Sequence, residues 1–121
     1  MTRLSALALV ALCVAPPVAA NEYAAVREKA AFLTLVAGRD LRIGLYNLTL
    51  NLLADGRIEG SALGWDITGS WDWQDGYFCR ELDWSGMPIP YDCQLVEERG
   101  GEVVRFTVDR GQGDSASFKL R

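Results

Sequence analysis

The sequence predicts a mainly β fold: a small antiparallel meander closed as a barrel or a two-layer sandwich, with one N-terminal helix and one disulfide. Three observations predict it. Apolar residues alternate with a period of two over most of the chain after Leu41. Asp-Gly and Gly-Gly dipeptides punctuate those runs, and two cysteines remain once an export segment is set aside.

The export segment comes first. Arg3 precedes the apolar run from Leu7 to Val14, and Val18-Ala19-Ala20 supplies small residues at a cleavage site before Asn21. The apolar stretch before Pro16-Pro17 is about half of the roughly 20 residues that a membrane-spanning helix needs. Residues 1–20 therefore read as a signal peptide, with no membrane span after its removal and a periplasmic or secreted destination. Cys13 leaves with it. Of the 121 residues, 101 remain as a single β-rich domain over residues 21–121.

Residues 22–37 read as the helix. Val26, Ala30, Leu33 and Ala37 recur at helical spacing among good helix formers, Gly38 suits a left-handed C-terminal cap, and Arg39 suits the negative end of the dipole. Val26, Phe32, Leu33 and Val36 would pack against the sheet, covering one open end or one flank. Strands follow. Leu41, Ile43 and Leu45 alternate, then Leu48, Leu50 and Leu52, with Thr49 and Asn51 on the opposite face. Asp55-Gly56 turns the chain into a strand over 57–63. Ile67, Gly69, Trp71 and Trp73 share one face of the next strand, and Asp75-Gly76 turns it into residues 77–84. Residues 85–90, with Gly86, Pro88 and Pro90, read as a loop. Strands over 91–98, 102–109 and 115–121 complete seven or eight, the last two pairs separated by Gly100-Gly101 and by the glycine-bearing segment 110–114.

Cys79 and Cys93 are an even pair in an exported chain, which predicts a structural disulfide formed in an oxidising compartment. In the chain-entropy treatment a loop of this length is worth about 3 kcal/mol. The pair is not C-x-x-C, and no histidine is present to complete a metal site. The same absence rules out a Ser-His-Asp triad and a Cys-His pair. Sixteen acidic against 12 basic side chains give a net charge of −4, unsuited to phosphate backbones, so no nucleic-acid partner is expected. No cofactor and no metal are expected either. Asp66, Asp72, Asp75, Glu81, Asp83 and Asp92 read as solvated faces and turns rather than a calcium loop.

The candidate site residues lie in the middle of the chain. Trp65, Trp71, Trp73 and Trp84, with Tyr77, Phe78 and Tyr91, concentrate the aromatic mass around one hairpin and could line a ligand pocket. Core filling is the favoured reading for most of them, with Trp65 and Trp84 expected to be partly exposed. Arg80 shares the parity of Phe78, Leu82 and Trp84 and so points inward, where a carboxylate from Asp66, Asp72 or Asp92 would have to pair with it.

The run Gly69-Ser-Trp71-Asp-Trp73-Gln-Asp75-Gly76-Tyr-Phe-Cys79-Arg80, with Trp84 and Asp92-Cys93-Gln94, resembles a group of small exported alphaproteobacterial proteins that carry the label dihydrodipicolinate reductase. With residues 32–38 and 106–113 the resemblance covers nearly the whole of 21–121. The pattern is also similar to secreted β-domains of other proteobacteria and to the one-disulfide barrels of periplasmic protease inhibitors. The reductase label implies a nicotinamide cofactor on a Gly-rich turn and a histidine-bearing motif. The residues do not support it. Gly111-Gln112-Gly113 is half of such a turn, leads into an alternating run, and no histidine exists. The expectation is therefore a non-enzymatic periplasmic module that binds an unknown protein or small ligand at one end of a barrel. The inhibitor alternative would place residues 21–23 or the Pro88 loop in an enzyme cleft.

Overall fold

The structure, a computed structural model, describes residues 2, 5–13 and 22–121. The expected cleavage site at Ala20 lies outside them. Residues 5–13 take no helix or strand, and Leu7, Leu9, Val10 and Leu12 stay exposed.

The remaining chain forms β1 (Ala24–Val26), α1 (Lys29–Val36), β2 (Leu41–Ile43), β3 (Leu48–Leu52), β4 (Arg57–Ala62), β5 (Trp65–Gln74), β6 (Tyr77–Trp84), β7 (Met87–Arg99), β8 (Val103–Thr107) and β9 (Ser115–Leu120). From β2 to β9 each strand pairs antiparallel with its sequence neighbour, and β9 returns to β2 through Leu41↔Leu120. The result is a closed eight-stranded up-and-down barrel, and closure removes the sheet edges that a sandwich would leave. The Asp-Gly turns work as expected: Asp75 and Gly76 take φ of 51° and 83°, the left-handed pair that a two-residue hairpin loop requires.

The inward positions are those the alternation assigns. Leu41, Leu50, Leu52, Ile58, Ile67, Trp71, Phe78, Val96, Val104, Phe106, Phe118 and Leu120 are buried. Helix α1 plugs one end, where the turns after β3, β5 and β7 lie. Phe32, fully buried, sits 5.0–5.5 Å from the rings of Trp71, Trp73 and Phe78 and 6.3 Å from Phe106. Gly38 takes a φ of 66° after the helix. Arg39 caps the same end, donating to the carbonyls of Leu35 and Gly101.

Three expectations need correction. The helix is confined to Lys29–Val36, because Ala24–Val26 pair with Glu98–Val96 on the edge of β7 that β6 leaves free beyond Gln94. Satisfying those backbone groups outweighs the helical propensity of Ala24 and Ala25. Leu45 does not continue β2; it lies in a 3-10 turn (Gly44–Tyr46) and is 84% exposed. The Pro88 segment is not a loop. A tight turn at Ser85-Gly86 starts β7 directly, and Pro88 and Pro90 fit because β8 pairs only with 95–99, leaving no ladder on their far side. Pro90 and Tyr91 form a bulge between the paired positions Ile89 and Asp92. Of the two closures expected, the sheet takes the barrel and closes on itself.

Glycine permits the tight curvature of the β4–β6 wall. A Cβ on Gly69 would collide with the Glu81 carbonyl oxygen and come within 2.8 Å of Leu82 Cδ2. Gly69→Ala should therefore destabilise the barrel by about 1–3 kcal/mol in urea denaturation. An unchanged midpoint would mean that the two strands do not approach so closely.

Candidate functional site: the barrel interior

At the end opposite α1, β5, β6 and β7 extend past β8 and β9, so the mouth is oblique. Behind it lies a cavity of about 300 Å³ inside the barrel. Leu41, Leu48, Leu50, Leu52, Ile58 and Ile67 form one wall, and Phe78, Leu82, Ile89, Phe106 and Phe118 form the other. Val108, Asp114, Ser115 and Ala116 edge the opening, and Arg80 and Gln94 are the polar groups on the inner wall. A void this large is unusual in an interior packed to native density. Its volume lies at the lower limit of small-molecule sites, which are mostly apolar with a few placed polar groups.

Arg80 points inward, as its parity predicts, but it forms no ion pair with Asp66, Asp72 or Asp92. Its Nη1 donates to the Pro90 carbonyl at 2.8 Å, an acceptor that the bulge turns toward it. Asp92, its cross-strand neighbour, accepts instead from the Asp109 N–H, at 3.1 and 3.2 Å to its two oxygens. Burial pushes the Arg80 pKa below the ordinary guanidinium value, and the charge of Asp92 opposes that shift. Gln94 is 6% exposed and lines the cavity, and among the described residues no enclosed side-chain nitrogen or oxygen is left without a partner. Sequence reasoning missed Gln94. Its pairing with Phe78 identifies it as inward-facing once the register is known.

The tryptophans divide. Trp71 is buried and donates to the Leu53 carbonyl at 2.9 Å, and half-buried Trp73 donates to the Arg27 carbonyl at 3.1 Å. Both brace the plugged end and leave the cavity wall to other residues. Trp84 is half-buried at the open end and donates to the Ala62 carbonyl at 3.2 Å. Trp65 is 62% exposed on the rim, where Leu45, Tyr46, Leu63 and Met87 make an apolar collar. Tyr91 is outside the barrel, its hydroxyl accepting from Gln74 Nε2 near the disulfide. Cys79 and Cys93 face each other across β6 and β7 and are joined, as expected.

The segment carrying Gly111-Gln112-Gly113 turns into β9, a strand, and offers no helix N-terminus for a pyrophosphate. Asp109 and Arg110 take φ of 52° and 51° there, and Val108, at the cavity edge, donates its N–H to the Asp114 carbonyl and accepts from the Gly113 N–H across the turn, each at 3.0 Å. Among the described residues no three histidine, cysteine or acidic side chains converge, and no helix is long and apolar enough to cross a membrane.

Comparison with protein-family models, with curated proteins and with solved structures gave no match to this chain.

Proposed function

We propose that this protein is an exported, non-enzymatic binding module of the periplasm that takes a small, largely apolar ligand into the barrel interior. The observation that carries the reading is the 300 Å³ cavity with apolar walls, to which Arg80 and Gln94 contribute the polar groups of the inner wall. Small-molecule sites are mostly apolar, with a few placed polar groups that fix the ligand's orientation. Export is supported by the disulfide. It is also supported by the unpacked apolar residues 5–13, which contribute nothing to a core that is complete without them.

Two observations weigh against the inhibitor alternative. Tyr23 is held on the barrel wall, with Arg105 at 3.7 Å and Arg99 at 4.9 Å from its ring and its hydroxyl 3.2 Å from Ser117 Oγ. Pro88 is built into β7, so it offers no projecting loop.

The test is binding of N-phenyl-1-naphthylamine, followed by its fluorescence. The native protein should bind it, and Ala116→Trp, which fills the mouth from an exposed position, should weaken binding by about tenfold or more. Leu63→Ser on the collar should leave it within about twofold. Binding that ignores Ala116→Trp but is lost with Leu63→Ser would place the apolar site on the outer rim and sink the reading.

A further inference from the structure

The inner wall also specifies what the ligand carries at its polar end. This inference rests on the interior-binding reading. We propose that the ligand is a single-chain carboxylate of about eight to ten carbons, taking ~30 Å³ per water-sized group, with its head between Arg80 and Gln94.

The register places the two side chains together. Phe78 faces Gln94 and Arg80 faces Asp92, so Arg80 and Gln94 are diagonal neighbours on the same inward face of β6 and β7. Such neighbours lie roughly 7–8 Å apart, a span that one head group bridges. Arg80 spends one donor on the Pro90 carbonyl and keeps the rest of its fork. Gln94, on the same cavity wall, contributes an amide with two donors. Donors on neighbouring strands of one cavity wall suit an acceptor, and a carboxylate has two oxygens able to take the Arg fork and the Gln amide at once.

Charge then selects the anion. A guanidinium beside an apolar cavity, with no ion-paired carboxylate among the described residues, is costly until a counter-charge arrives. Asp92 is the nearest acid, but its oxygens are turned to the Asp109 N–H. Asp114 stands exposed at the mouth. One cation with two acids in its surroundings suits a monoanion and disfavours a doubly charged phosphate. The rest of the cavity is aliphatic and aromatic, which fits an alkyl chain.

Calorimetric titration of the oxidised protein with decanoate and with decanol separates the head-group inference from the underlying reading. Decanoate should bind about tenfold or more tightly than decanol. Arg80→Met should remove that preference while leaving decanol within about twofold. Equal affinities, or a preference that survives Arg80→Met, would overturn the head-group assignment and leave interior binding standing. Failure of both ligands to bind would overturn both. A second measurement needs no variant: the bound carboxyl of carbon-13-labelled decanoate, followed by NMR, should ionise at lower pH than the free acid. Ionisation at the free value or above would contradict contact with Arg80.

Discussion

Phe32→Ala should destabilise the protein by about 3–5 kcal/mol, a large share of the ~5–15 kcal/mol that holds a typical domain together. Phe32 is fully buried, and its ring is the one through which α1 touches Trp71, Trp73, Phe78 and Phe106 at once. Removing it leaves a hole among four aromatic rings that strands fixed by barrel closure cannot collapse to fill. Leu33, on the same helix but only half-buried, should cost much less when changed to Ala. Equilibrium denaturation of the two variants checks the contrast. Similar small losses for both would mean that α1 lies on the barrel without plugging it.

Replacing Cys79 and Cys93 together by Ala should cost about 3 kcal/mol. The two residues sit 14 apart in sequence on adjacent strands, so the bond closes a loop that contains the β6–β7 turn. Its effect falls mainly on the unfolded chain, which loses freedom when oxidised. Ala is the better replacement because Cys79 is fully buried and a serine hydroxyl would need a partner there. Denaturation midpoints with and without reductant should show the same loss. A native midpoint indifferent to reductant would show that the bond contributes nothing to stability.

Much of the barrel was legible in the sequence because its strands are half-buried, and a half-buried strand writes its inward face as every second residue. Leu48, Leu50 and Leu52, or Ile67, Gly69 and Trp71, could be assigned without knowing their neighbours. Turns were legible where a left-handed backbone demanded Gly beside Asp, as at Asp55-Gly56 and Asp75-Gly76. What failed depended on distant partners. Ala24–Val26 are strand because β7 has a vacant edge, and Pro88 and Pro90 are tolerated because β8 stops short of them. Neither fact exists in a local window.

The candidate site was less legible, for the same reason. The inward direction of Arg80 followed from parity, but its acceptor is the Pro90 carbonyl, created by a bulge that no spacing announces. The tryptophans drew attention by size, yet Trp71 and Trp73 brace the plug while leucines of β3 and the unremarked Gln94 line the cavity. The cavity itself is a property of closure: eight strands leave a space whose filling depends on all inward side chains together.

The most direct test of the account is an NMR search for intermolecular contacts between decanol and the methyl groups of the oxidised protein. Decanol carries no charge, so the result does not depend on Arg80. The account predicts nuclear Overhauser contacts from the alkyl chain to Leu50, Leu52, Ile58 and Ile67 inside the barrel. Contacts confined to Leu45, Leu63 and Met87 on the outer collar would contradict it.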